Sequence, residues 1–133
     1  MQALLRLKGI AVTELLIDTS VLIALLKDEL QEDTERFLFS QKASISVITY
    51  VETCRFFALA GKIKEWDDTR ARFSDFELLP VTRQIGEMAA KNAVENRLAL
   101  ADSVIYATAQ AHGLTLATKD KEFKGLKNVL IVK

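Results

Sequence analysis

Short, densely apolar runs alternate with longer amphipathic stretches along this chain. Leu15-Leu16-Ile17 closes at Asp18, and Thr19-Ser20 leads into Val21-Leu22-Ile23-Ala24-Leu25-Leu26. This junction reads as a buried strand over 14–18 that delivers a carboxylate to its C-terminal end, followed at once by a helix over 19–27. The pattern then predicts a helix over 31–41 with Phe37 and Leu38 inward, and a short strand over 43–46. A helix over 48–60 follows, with Val51, Phe56 and Leu59 facing a core and Gly61 as its stop. Residues 62–75 continue as a polar helix that uses Ile63, Trp66 and Phe73 as apolar contacts. A strand over 76–81 ends near Pro80, the only proline, and Thr82 caps a helix to about Arg97. A helix over 101–112 stops at Gly113, and strands over 114–117 and 129–132 complete the chain. Residues 1–13 fit this pattern least well. They read as an extra edge strand, a frayed arm or an N-terminal extension.

Strands alternating with helices predict an α/β domain with a central parallel sheet covered by helices on both faces. Right-handed crossovers then bring all strand C-termini to one edge, where ligands bind in open α/β sheets. With 133 residues, no repeat and no Gly/Ser-rich linker, a single domain is expected. Such a length needs no disulfide or metal staple to fold.

Charge and composition narrow the chemistry. Lys+Arg and Asp+Glu number 18 each, which argues against a general polyanion binder but allows a local basic rim. The lone Cys54 precludes an internal disulfide and fits a reducing, cytoplasmic setting, where it reads as a buried, inert thiol. No apolar run reaches the roughly 18–20 residues of a membrane span. Arg6 and Lys8 precede apolar residues as in a signal peptide, but Glu14 and Asp18 interrupt that run, so export is not expected.

Four acids fall on the predicted functional edge. Asp18 ends the first strand, and Glu52 lies in the first turns of the helix after 43–46. Asp102 opens the helix after Leu98-Ala99-Leu100, and Asp120 follows the 114–117 strand. Each alone has an ordinary explanation, since an Asp near a helix start satisfies exposed N–H groups and the helix dipole. Together they point to one purpose. Clustered carboxylates repel unless a cation neutralises them, and hard oxygen donors suit Mg²⁺ or Mn²⁺. One His and one Cys exclude His- or Cys-based zinc sites, and neither a Walker A nor a GxGxxG sequence occurs. Glu65, Asp67 and Asp68 form a second acidic group, but they do not share a helix face and read as solvated surface.

The ordered segments Leu16-Ile17-Asp18-Thr19-Ser20, Ser46-Val47-Ile48-Thr49-Tyr50-Val51-Glu52, Leu100-Ala101-Asp102-Ser103-Val104-Ile105-Tyr106-Ala107-Thr108-Ala109 and Leu116-Ala117-Thr118-Lys119-Asp120-Lys121-Glu122-Phe123 resemble the successive motifs of PIN domains. The likeness is greatest to VapC-like toxins of prokaryotic toxin–antitoxin pairs, and it spans 14–133. It implies a three-layer α/β/α sandwich and Mg²⁺- or Mn²⁺-dependent endoribonuclease activity. It also implies an RNA substrate, a cognate antitoxin and a homodimer. Asp18, Glu52, Asp102 and Asp120 match the family's catalytic, metal-binding acids, and Thr118 matches a hydroxyl that supports the site. Two features depart from the family pattern: no proline precedes Asp102, and the chain starts about a dozen residues early. Arg55, Lys119, Lys121 and Lys124 are candidates for phosphate contact. Tyr50, Phe56, Phe57 and Trp66 supply core packing or a face for a second copy or an antitoxin. The rival readings are a non-catalytic PIN-like module that binds RNA or protein, and a phospho-acceptor domain built on Asp18, which the spacing of the acids fits poorly.

Overall fold

A computed structural model describes residues 14–133; the expectations for residues 1–13 lie outside the described residues. The elements run β1 (Glu14–Ile17), α1 (Thr19–Leu26), α2 (Glu32–Ser40), β2 (Lys42–Ser46), α3 (Val47–Leu59), α4 (Ile63–Arg70), a 3₁₀ turn (Ala71–Phe73) and β3 (Glu77–Leu79). Then come α5 (Arg83–Glu95), α6 (Leu100–His112), β4 (Thr115–Thr118), a second 3₁₀ turn (Lys121–Phe123) and β5 (Val129–Ile131). The five strands pair in parallel, in the order β3-β2-β1-β4-β5. No helix among the described residues is long and apolar enough to cross a membrane.

Strand alternation builds the three layers. Leu15 and Ile17 face a cluster with Val21, Leu22, Phe37, Leu38, Trp66 and Phe73, whereas Leu16 between them faces Ile105, Tyr106, Leu116 and Phe123. Successive side chains of a strand point to opposite faces, so one short apolar run anchors helices on both sides of the sheet. The helix α5 packs on α6 through Ile85, Ala89 and Ala107. These layers are the expected α/β/α sandwich.

The helix boundaries follow local chemistry. The Thr82 hydroxyl accepts the Ile85 amide at 3.2 Å and starts α5. At the other end of the pair, Gly113 takes φ 64° and closes α6, a left-handed stop that glycine adopts at least cost.

Two expectations about packing are corrected. Val51 and Leu59, expected in the core, are 55% and 78% exposed, and Phe56 also stands at the surface. The buried face of α3 instead carries Thr49 and Thr53, with Tyr50, Cys54 and Phe57 packed partly against the core. A threonine hydroxyl can satisfy itself on its own helix, as Thr53 does by donating to the Thr49 carbonyl at 2.7 Å, so polarity does not bar this face from the interior. The second correction concerns 62–75. The helix ends at Arg70 and tightens into the 3₁₀ turn, which buries Trp66 and Phe73 but leaves Ile63 half exposed. The Glu65, Asp67 and Asp68 group is exposed as expected, with Asp67 paired to Arg70 at 3.3 Å.

Candidate metal centre at the sheet switch point

The chain leaves β1 toward β2 and β3 on one side, then returns to add β4 and β5 on the other. The crevice at the C-terminal ends of β1 and β4 is therefore the topological switch point, the place where open α/β sheets receive ligands. Register puts Ile17 beside Ala117, and the Asp18 amide continues the ladder by donating to the Ala117 carbonyl at 2.9 Å. Asp18 and Thr118 thus emerge side by side.

Asp18 is the N-cap of α1 by position, with φ −71° and ψ 154°, but its side chain makes no capping hydrogen bond. Its carboxylate, only 3% exposed, accepts instead from the Thr118 and Ser20 hydroxyls, both at 2.7 Å and both on Oδ2. Each hydroxyl in turn accepts a backbone amide: Asp120 N–H on Thr118 and Lys119 N–H on Ser20, each at 3.0 Å. Hydroxyls that accept on one side and donate on the other fix the carboxylate's orientation. Burial pushes the Asp18 carboxyl above its ordinary range, the hydrogen bonds from Thr118, Ser20 and the Thr19 backbone oppose that, and the Asp120 charge adds to it.

The other acids arrive around this floor. Asp102 is the third residue of α6 and lies in its first turn, with Ala99 as the cap. Asp120 precedes the second 3₁₀ turn, where its Oδ1 accepts the Glu122 amide at 2.9 Å. That turn folds Glu122 back on the site. Carboxylate oxygens of Asp102, Asp120 and Glu122 all lie within 4.8 Å of one another. Glu52, in the second turn of α3, accepts from the Thr19 hydroxyl at 2.7 Å, and the same hydroxyl lies 3.1 Å from Thr49 Oγ1.

Asp102 registers the whole group. Its carboxyl is pushed up to about 6, first by burial and then by the charges of Asp18, Asp120, Glu52 and Glu122. None of these five acids pairs with a cation among the described residues. The four acids expected from the sequence therefore converge electrostatically, but the tightest trio includes Glu122 and leaves out Asp18 and Glu52. Glu122 escaped the sequence reading because only the tight turn after Asp120 brings it back. The one signal for it is the Asp-x-Glu spacing directly after a strand. The bracing hydroxyls of Thr19, Ser20 and Thr49 were also missed, although Thr19 and Ser20 directly follow Asp18 in sequence.

A parallel sheet sandwiched by helices, with acids gathered where its strand order reverses, is the architecture of a PIN domain. The chain belongs to that family: the family model for the PIN domain matches residues 15–129. Solved structures agree. A toxin–antitoxin complex from Klebsiella pneumoniae superposes with a TM-score of 0.74 at 29% identity, covering 86% of this chain and 94% of that one. VapBC-5 of Mycobacterium tuberculosis, a member of the VapBC family of toxin–antitoxin systems, matches at 26% identity and a TM-score of 0.63, over 91% and 98% of the two chains. The fold is also that of VapC20 from Mycobacterium tuberculosis, a sarcin–ricin-loop-cleaving toxin, at 16% identity and a TM-score of 0.70 over 90% and 99%. No curated protein sequence matches the chain significantly.

Proposed function

We propose that this protein is a divalent-metal-dependent endoribonuclease that hydrolyses RNA phosphodiester bonds and acts in the cytoplasm as the toxin of a toxin–antitoxin pair. The observation that carries the reading is the convergence of five acids at the switch point without a protein cation among the described residues. Such a group is destabilised by its own repulsion, and a bound cation removes that cost. The donor set is all oxygen, which fits Mg²⁺ or Mn²⁺ rather than zinc. The 4.8 Å grouping of Asp102, Asp120 and Glu122 would hold such an ion, together with Asp18. Asp18 is suited to this because both side-chain hydrogen bonds fall on Oδ2, leaving Oδ1 without a side-chain partner among the described residues. When bound, the ion supplies a more acidic water and charge neutralisation at the phosphate.

The chain's own residues do the positioning. Thr118 and Ser20 hold the Asp18 carboxylate in one orientation, so no reorganisation is needed when RNA arrives. Glu52, held by the Thr19 hydroxyl, adds its charge to the cluster and would ligate a second ion or orient a water. Partnership rests on separate support. Solved toxin–antitoxin relatives at 29% and 26% identity favour an antitoxin partner. Exposed Val51, Leu59 and Ile63, on α3 and the start of α4, supply apolar surface for an antitoxin or for the second copy of a homodimer.

The test is incubation of purified protein with structured RNA in Mg²⁺, Mn²⁺ or EDTA. Wild-type protein should give fragments that EDTA suppresses, and Asp18→Asn should lower cleavage by about 10²–10³-fold while remaining folded. Full cleavage by a folded Asp18→Asn protein would sink the assignment. RNA binding without cleavage in either metal would favour a non-catalytic binding module instead.

A further inference from the structure

Beside the acid cluster lies a region of opposite charge. A cavity of about 410 Å³ runs along β5, lined by Lys121, Lys124, Gly125, Val129, Ile131 and Lys133. Its size is within the range of about 300–1,000 Å³ that small-ligand sites occupy. Residues 119–133 hold five lysines against Asp120 and Glu122, a local net charge of +3 in a chain whose formal charge is zero. None of the three lining lysines is in an ion pair among the described residues, and residues 1–13 contain no acid that could pair with them.

The fold fixes where these charges stand. Lys121 and Lys124 flank Phe123, whose fully buried ring anchors the turn after Asp120. Gly125 reverses the chain at φ 89°, a conformation that favours glycine. Lys133 follows β5, and parallel pairing with β4 brings that end of the strand to the same sheet edge as Thr118. Between the lysines, half-buried Val129 and Ile131 share one face of β5, while Leu130 turns into the core. Ammonium groups around an apolar floor match a nucleotide, with phosphate on the lysines and a base or ribose face on Val129 and Ile131.

We infer that this pocket binds single-stranded RNA next to the acid cluster, holding a nucleotide that flanks the cleaved bond. The identity of the polyanion rests on the nuclease reading above. An acid-lined centre repels the phosphate it must receive, and three lysines on the adjoining turn and strand offset that repulsion at close range.

The experiment measures binding of fluorescein-labelled oligouridine by anisotropy, in EDTA and over a range of salt, so that it does not depend on catalysis. Lys124→Ala/Lys133→Ala should bind about tenfold more weakly at low salt, with a salt slope shallower by about 1.4, from about 0.7 per lost single-strand contact. A remote control, Lys42→Ala/Lys91→Ala, should bind as wild type does. In RNA cleavage with Mn²⁺, the loss should fall on KM rather than kcat. Wild-type affinity in the pocket variant, or an equal loss in the remote control, overturns the inference. So does polyglutamate that binds as tightly as oligouridine and loses affinity in parallel, since the pocket would then be a general anion site. Lysine-dependent binding by a protein that cleaves nothing would sink the nuclease reading and leave the pocket standing.

Discussion

Asp18 and the Asp120–Glu122 turn contribute carboxylates to the same crevice by opposite means. Asp18 is buried at the end of a central strand, held by two hydroxyls that are themselves held by backbone amides. Glu122 is exposed, and its turn is tied to Asp120 through two hydrogen bonds from backbone amides, Glu122 N–H to Oδ1 and Phe123 N–H to the carbonyl. The first carboxylate is oriented by the folded interior before any ligand arrives. The second group is charge-dense: buried Phe123 anchors its backbone, but the Glu122 carboxylate stands in solvent, so the position of that side chain depends more on what it binds. A site built this way pairs a rigid floor with a responsive rim, and the lysine pocket continues the rim side.

Removing the brace should collapse that difference most. Thr118→Val keeps the shape but deletes the hydroxyl that donates to Asp18 and accepts the Asp120 amide. It should destabilise the protein by about 1–3 kcal/mol, read by urea unfolding. It should also weaken divalent binding by about 10–100-fold, read by calorimetry. Unchanged metal affinity would show that the floor is not preorganised through Thr118.

The acid cluster should respond to pH. In the folded protein Asp102 holds its proton to about 6, against an ordinary value of 3.8. Between those values the folded state binds more protons than the unfolded chain, so in EDTA this residue's contribution to stability falls as pH rises from about 4 to about 6 and then levels off. Asp18, also pushed up by burial, acts in the same direction. Thermal melts in EDTA should show the decline, and Asp102→Asn should flatten it. Divalent binding should strengthen over the same interval, because protons compete with the ion.

The smallest effect is expected at the exposed C-terminal end of α3. Leu59→Ser removes an apolar side chain that is 78% exposed, and stability should move by no more than about 0.5 kcal/mol. A larger loss in the isolated chain would mean that this surface is already buried against a second copy, a result that sedimentation would check.

Much of the architecture was legible because the central strands are buried on both faces, so short apolar runs mark them and end where chemistry begins. Leu15-Leu16-Ile17 before Asp18, and Leu114 to Ala117 before Thr118, announce β1, β4 and the edge they share. The helix stop at Gly113 and the cap at Thr82 were equally readable, since both answer local backbone needs. The facing of α3 was not. Val51, Phe56 and Leu59 are as apolar as core residues, yet the helix turns its threonines inward, where Thr49 meets Thr19. Periodicity fixes which residues share a face but not which face the fold buries.

The sequence by itself determined that acids stand at strand ends and helix starts, because burial pattern and turn chemistry are written in neighbouring residues. Only the tertiary structure decided which acids meet. Parallel pairing of β1 with β4 carries Thr118 to Asp18 across a hundred residues, and a 3₁₀ turn returns Glu122 to Asp102. The physical reason is range. Helix and strand preferences act over a few residues, whereas mutual repulsion, bracing hydroxyls and a shared cation site exist only once distant segments are packed together.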